Sequence, residues 1–482
     1  MPLSPSIDPA ISLEDTSGWV VVDLRALVTT NLGLEALLNR ISKGPVEAIS
    51  TKLGMGPDPV ETDAEDFGGT LPTDPTALAF LAELRAQGQK IALVSEIATP
   101  FLRQVGQGAD LFDAYHGAPE GEVLDAAEKH RIVSSAYPEG FAFMGASDLD
   151  LPLWAVAQGA ITARATPGLR ARVDETGRDV YHLTPQGSPR IPWRPAIKAL
   201  RPHQWLKNIL VFLPLLAAHE TDPLLWATAV FAYVAFCLTA SSVYILNDLL
   251  DLSADRAHQR KRNRPFASGQ LPLGAGLILA PGLLLGALLL SVLLLRPLFL
   301  LVLLAYYLAT LAYSFVLKRE VIVDIITLGG LYSIRIIAGG VATMTELSPW
   351  ILAFSGFFFF SLAAVKRQAE LVDLARRGKE AVAGRAYRAS DLPVITSMAI
   401  AAGYTAVLIL AFYISSSEVQ ELYTRIKVLW LACPVLLFWI SRVIMLTHRG
   451  QMTDDPIVFA ARDIVSWICM ILVLTIAIFA QS

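Results

Sequence analysis

Charge is scarce in this chain, and so is cysteine. Of 482 residues only 17% are Asp, Glu, Lys or Arg, while 54% are hydrophobic. Soluble domains carry ~25% charged residues, and the mean hydropathy here is +0.51. An ordinary soluble enzyme, a disordered chain and a collagen-like chain are thereby excluded. The three cysteines, Cys237, Cys433 and Cys469, sit in apolar runs without CxxC or Cys/His spacing. That excludes a disulfide framework and a zinc site and leaves small buried thiols. No basic n-region or apolar h-region stands in MPLSPSIDPAISLEDTSGW, so no signal peptide is read and the first domain is expected in the cytoplasm. No Ser/His/Asp or Cys/His constellation offers a nucleophile, His203, His219 and His258 are dispersed, and no nucleic-acid partner is expected.

The charge that is present is divided unevenly. Residues 1–195 hold 26 acidic against 15 basic residues, and residues 196–482 hold 17 against 24. An acidic, water-soluble part precedes a basic, lipid-soluble one. Salt-sensitive docking of the acidic domain on the basic loops is the expected consequence.

From Arg201 onward apolar stretches recur at lengths that suit a ~30 Å hydrocarbon core. Nine are read: 204–219, 223–246, 273–295, 298–316, 321–342, 349–365, 394–414, 424–446 and 463–481. Alternate loops carry sixteen Lys and Arg on one side and three (Arg296, Arg425, Lys427) on the other. The basic side is expected in the cytoplasm, with the N-terminal domain, and the C-terminus on the opposite side of a cell (inner) membrane.

The second stretch runs into Asn247-Asp248-x-x-Asp251-x-x-x-Asp255. Spacings of three and four place the carboxylates on one helical face, where like charges are destabilising without a cation. Carboxylates that share a site with phosphates suit Mg²⁺. Lys261, Arg262 and Arg264 follow, so that metal ligands and guanidinium groups make a candidate diphosphate clamp. A solvated positive-inside loop explains the bases but not three in-phase acids. Lys366, Arg367, Glu370 and Asp373 form a second polar run after the sixth stretch, where an exposed amphipathic helix reads the same way. Tyr313 and Lys318 end the fourth stretch, Asp324 and Arg335 lie within the fifth, and Lys207 stands at the mouth of the first. An ionisable group inside a span is a functional candidate.

NDLLDLSAD matches the NDxxDxxxD signature of the UbiA superfamily of membrane prenyltransferases, and the resemblance covers about residues 196–482. RPHQWLKN, KRNRP, YSFVLK, IRIIAGGVAT, AVKRQAEL and AARD look most like the branch typified by decaprenyl-phosphate phosphoribosyltransferase. The quinone-type branch carries a second DxxxD-type cluster where this chain has Lys366-Arg367-x-x-Glu370. The resemblance implies a nine-helix all-α membrane domain and Mg²⁺ on Asp248, Asp251 and Asp255, the catalytic residues. It implies transfer of phosphoribosyl from phosphoribosyl pyrophosphate to a polyprenyl phosphate. Asn247, Lys207, Lys261, Arg262, Arg264, Tyr313, Lys318, Arg335, Lys366, Arg367 and Glu370 are the substrate-binding candidates. The alternative is an aromatic prenyltransferase, and a scaffold with a structural cation site is the reading outside enzymes. Oligomeric state is left open.

In the N-terminal part, GWVVVDLRA and KIALVS read as buried strands among helices such as 76–87, an open α/β domain. Its order resembles the haloacid-dehalogenase (HAD) phosphatases, a Rossmannoid fold, over about residues 18–170, within a domain placed at 1–170 and followed by a linker at 171–195. Asp23 matches the family's nucleophile, Ser95 its phosphate-binding Ser/Thr and Asp150 a late aspartate. Arg25 replaces the second acid, Ala146 a metal ligand, and Lys129 is the nearest match to a motif lysine. The resemblance alone implies a phosphatase; these departures from its pattern point to a degenerate regulatory or docking domain without Mg²⁺-dependent activity, with a residual phosphatase as the alternative.

Overall fold

The computed structural model describes residues 18–43, 71–107, 110–120, 122–183, 192–378, 380, 385–416, 419, 423–452 and 455–481. The chain divides into two compact units. The first comprises residues 1–200 together with 245–279, and the second 201–244 with 280–482.

In the first unit six parallel strands lie in the order β3-β2-β1-β4-β5-β6. They are β1 (Trp19–Asp23), β2 (Lys90–Ala98), β3 (Ala114–Ala118), β4 (Ala142–Gly145), β5 (Gly159–Thr162) and β6 (Asp179–His182). Helices cover both faces, so the central strands are apolar on both sides. Val20 and Val22 meet Phe80, Leu81 and Leu84 of helix α2 (Pro75–Ala86), while Val21 meets Val133 of α3 (Ala126–Ala136), Phe143 and Trp154. Trp154 Nε1 donates to Phe143 O and Ile161 O, both at 3.2 Å, which ties β4 to β5. Helix α1 (Leu32–Lys43) precedes α2 in the chain.

The sheet continues beyond the expected domain end at 170. Helix α4 (Pro167–Asp174) runs across the expected boundary, β6 lies inside the expected linker and pairs with β5, and the Thr162 hydroxyl bonds His182 Nδ1 at 2.7 Å. Buried Leu169 and Val173 seat α4 against the sheet, an apolar pair that the Pro, Gly and Arg around it conceal. Residues 184–191 of that linker lie outside the described residues.

Among the described residues eight helices are long and apolar enough to cross a membrane. They begin with α5 (Pro223–Leu250), after which the short α6 (Leu252–Ala257) belongs to the loop. Next come α7 (Leu273–Leu294), α8 (Pro297–Phe315), α9 (Val323–Thr343) and α10 (Pro349–Arg376). The last are α11 (Leu392–Ile414), α12 (Ala432–His448) and, after the short α13 (Pro456–Arg462), α14 (Ile464–Gln481). Leu285, Leu289, Val292 and Leu293 of α7 are more than half exposed, as a lipid-facing helix requires.

The expected first span differs from the other eight. Residues Pro202–Phe212 form a 3-10 helix and only Leu213–Ala217 are α-helical. Gly339 of α9 permits this packing, because a Cβ there would lie 2.0 Å from Val211 O. Proline at 202 and 214 and this close backbone approach replace a regular α-helix with a tighter one.

Candidate active site

The aspartate motif sits where α5 gives way to α6, in the first unit. Asp251 has φ −97° and ψ 17°, yet its N–H donates to Asn247 O at 2.9 Å and the Asp255 N–H donates to Asp251 O at 2.8 Å. Helical phase therefore persists through the junction. Asp248 and Asp255 are buried, whereas Asn247 and Asp251 are half-buried. Arg264 Nη1 donates to Asp248 Oδ1 at 3.1 Å and to Asp255 Oδ2 at 2.5 Å, supplying the cation that stacked acids require. Burial pushes the Asp255 carboxyl up to about 6, aided by Asp248 and opposed by Arg264.

Three carboxylates in phase do not make three convergent ligands. Among the described residues no group of three His, Cys, Asp or Glu side chains is poised for a metal. Two acids share Arg264 and the third stands beside them. The donor set still fits Mg²⁺, since hard oxygens from one or two carboxylates are completed by substrate phosphates. Lys261 and Arg262 are exposed on the 3-10 turn Lys261–Asn263.

The second unit holds two further polar clusters. In one, Asp455 accepts from Lys207 Nζ at 2.6 Å, Lys366 Nζ at 3.3 Å and Tyr332 OH at 3.2 Å. Lys207 and Arg335 both lie over the Tyr332 ring, at 5.6 and 5.7 Å. Among the described residues Arg335 donates to uncharged groups: Asn208 Oδ1 at 2.8 Å, Tyr306 OH at 3.0 Å and Leu331 O. Burial alone would raise the Asp455 carboxyl, but Lys366 and Lys207 outweigh it and hold it well below the usual carboxylate range. Two lysines pair with one carboxylate and Arg335 lies over the same Tyr332 ring, and this surplus of positive charge suits a phosphate.

The other cluster is balanced. Asp324 pairs with Arg367 at 2.8 Å and accepts from Arg385 at 3.1 Å and Tyr313 OH at 2.9 Å, while Glu370 pairs with Arg367 and, at 3.3 Å, with Arg385. Arg367 is wholly buried. Two acids match two guanidinium groups, so Arg367, Glu370 and Tyr313 tie α8, α9 and α10 together rather than offering free charge. Lys318, half-buried on the turn Leu317–Arg319, belongs to neither cluster. Asp455, Arg385, Tyr332 and the partner role of Asn208 are absent from the sequence reading. Asp455 lies 248 positions from Lys207, and no spacing rule connects them.

At the sheet's carboxyl edge, where strand order reverses, Lys129 Nζ is 2.7 Å from both Asp23 Oδ2 and Asp150 Oδ1. Lys129, the nearest match to a motif lysine, is thus fully buried between the two acids. Burial, reinforced by Asp23 and opposed by Lys129, pushes the Asp150 carboxyl up to about 6. Glu96 is 3.4 Å from Lys129 and pairs with Arg25. Ser95, Arg25 and Arg164 line a cavity of about 910 Å³ beside these groups.

The UbiA prenyltransferase family model matches residues 208–462. An uncharacterized protein, y4nM, of Sinorhizobium fredii is 33% identical over 403 residues, 82% of this chain and 77% of that protein, so the likeness extends into the N-terminal domain. Nodulation protein NoeC of Azorhizobium caulinodans is 36% identical over 58% of this chain and 92% of its own length. Decaprenyl-phosphate phosphoribosyltransferase of Mycolicibacterium smegmatis is 43% identical over 38% of this chain and 58% of its own. With the family match covering more than half the sequence and eight long apolar helices present, the chain is a multi-pass membrane enzyme that belongs to the UbiA prenyltransferase family.

Proposed function

We propose that this enzyme transfers the 5-phosphoribosyl group of phosphoribosyl pyrophosphate to a polyprenyl phosphate. The observation that carries the reading is a cationic surplus: Lys207 and Lys366 both pair with a single acid, Asp455, and Arg335 lies with Lys207 over the Tyr332 ring. A phosphoribosyl donor brings a 5′-phosphate, and the lipid acceptor brings a second phosphate. Identity of 43% to a decaprenyl-phosphate phosphoribosyltransferase supports the same choice.

Asp248, Asp251 and Asp255 would hold Mg²⁺, whose charge stabilises a departing diphosphate. Lys207, Lys366 and Arg335 would bind and orient a substrate phosphate. The bond from the anomeric carbon to the pyrophosphate oxygen breaks, and a bond to the lipid phosphate oxygen forms. That oxygen is already anionic, so no side chain has to remove a proton. We place the reaction on the cytoplasmic side of the cell membrane, where the basic loops lie.

We also propose nine crossings. Residues 1–200 and 245–279 share one compact unit, so the chain between them crosses an even number of times. Helix α5 supplies one crossing and residues 202–217 the other. The N-terminal domain is proposed to be a catalytically inert relative of the HAD phosphatases. Its strand order and the position of Asp23 at the end of β1 support that reading.

The test is pyrophosphate release from phosphoribosyl pyrophosphate by the purified full-length protein. Release is expected only when polyprenyl phosphate and Mg²⁺ are both present. Efficient prenylation of an aromatic acid, with no use of phosphoribosyl pyrophosphate, would overturn the assignment.

A further inference from the structure

The aspartate loop is built into the N-terminal domain by a buried ion pair. Glu35 of α1 pairs through both carboxylate oxygens with Arg256 of α6, Oε1 with Nη1 and Oε2 with Nη2, the latter at 3.0 Å. Only 3% of the Glu35 side chain and 2% of the Arg256 side chain are exposed. Each member is held from behind. The Thr30 hydroxyl donates to Glu35 Oε2 at 2.8 Å, and Arg256 Nε donates to Ala267 O at 3.1 Å. Backbone contact closes the same seam. Gly269, at φ +72°, comes so near Thr29 that a Cβ there would lie 2.1 Å from its hydroxyl oxygen.

Arg256 directly follows Asp255, and Ala267 lies three residues beyond Arg264. The guanidinium that Glu35 orients therefore fastens both ends of the segment in which Arg264 bridges Asp248 and Asp255. A bidentate, desolvated guanidinium–carboxylate pair fixes direction as well as distance. No other role for Glu35 is evident, since it stands apart from the Asp23–Lys129–Asp150 group.

We propose that Glu35 is a positioning residue for the transferase: through Arg256 it holds Asp248 and Asp255 in the arrangement that receives the metal and the donor diphosphate. The N-terminal domain is then part of the machinery and not a passenger. This rests on the metal role given above to the aspartates, but not on the identity of the donor.

The experiment uses full-length protein in detergent, with Mn²⁺ binding followed by electron paramagnetic resonance beside Mg²⁺-dependent turnover of phosphoribosyl pyrophosphate and thermal melting. Glu35→Gln is expected to weaken Mn²⁺ binding and raise the Mg²⁺ concentration for half-maximal turnover at least fivefold, and to lower kcat at least tenfold. Glu35→Asp, which keeps the charge, should recover most of both. The double variant Glu35→Gln/Arg256→Gln removes the unpaired buried charge and should regain the melting temperature while keeping the weakened metal binding. The proposal is overturned if folded Glu35→Gln binds Mn²⁺ and turns over like the unmutated protein. It is equally overturned if the double variant regains metal binding along with stability. Failure of the donor assignment would look different: the unmutated protein would bind Mn²⁺ yet leave phosphoribosyl pyrophosphate untouched, and the Mn²⁺ series would still decide the role of Glu35.

Discussion

Two pairs of buried carboxylates in the first unit are each bridged by one cation, and the cations differ in what they can do. Lys129 is wholly enclosed between Asp23 and Asp150, with Glu96 close by. Arg264 reaches Asp248 and Asp255 from a loop and keeps 26% of its side chain exposed. An enclosed ammonium cannot leave without stranding two buried charges, which costs several kcal/mol. A partly exposed guanidinium can turn to water or to a phosphate, freeing oxygens for a metal. The same count of acids thus gives a locked core in one place and an exchangeable site in the other.

The comparison breaks most visibly at the aspartates. Asp248→Asn or Asp251→Asn should lower kcat by orders of magnitude, and EDTA should abolish turnover until Mg²⁺ is restored, measured as pyrophosphate release. Full activity in either variant would remove the carboxylates from the mechanism. The corresponding change on the other side, Lys129→Met, should cost ~3–5 kcal/mol of stability in that domain, as expected when a buried pair loses one partner. A melting temperature unchanged by Lys129→Met would show that the ammonium is not holding the acids.

A similar contrast separates Lys366 from its neighbour. Lys366 belongs to the cluster with surplus positive charge, and Arg367 to the balanced one. Lys366→Gln should weaken binding of the substrate whose phosphate it holds by ~1.5–3 kcal/mol, the range for a hydrogen bond to a charged group, because its side chain stays 30% exposed. Arg367→Gln should instead lower the melting temperature, because it removes one of the two guanidinium groups that neutralise Asp324 and Glu370. Equal losses of substrate affinity in both variants would erase the distinction between the clusters.

Adjacent residues with such different surroundings show where sequence is legible. β1 and β2, the apolar helices and the phase of Asp248, Asp251 and Asp255 follow from periodicity, which is local. Asp455 escapes because its partners Lys207 and Lys366 come from other helices, 248 and 89 positions away. Arg367 is ambiguous in sequence because a buried, paired arginine and a phosphate-binding one look alike in a basic run. Docking of the N-terminal domain on a basic loop follows from charge asymmetry, but its salt dependence does not. Glu35 and Arg256 are buried, and buried pairs are screened far less than exposed ones.

A smaller effect comes from pH. Asp150 is held at about 6 in the folded domain, above its ordinary value of 3.8. The folded state binds the proton more tightly than the unfolded chain does. Stability from this group is therefore greatest below pH ~4 and falls as pH rises through about 6, by roughly 1–3 kcal/mol. Asp150→Asn should flatten that part of the profile in melting curves taken between pH 4 and 7. An unchanged slope would assign the pH dependence to other groups.

The smallest expected change tests whether the Lys129 site is as inert as its geometry implies. Asp23 has the position of a phosphatase nucleophile, and a fused phosphatase acting on a 5-phosphoribosyl product would be an efficient pairing. Charge argues against it. A guanidinium, Arg25, stands where a second acid is expected, and Ala146 offers no ligand to a metal that would offset charge on a phosphoryl group. Asp23→Asn should leave transferase turnover within about threefold, a barrier change of only ~0.7 kcal/mol. The full-length protein should release no inorganic phosphate from phosphoribosyl lipid, with or without Mg²⁺. Phosphate release that disappears in Asp23→Asn would show that Lys129 activates this site instead of filling it.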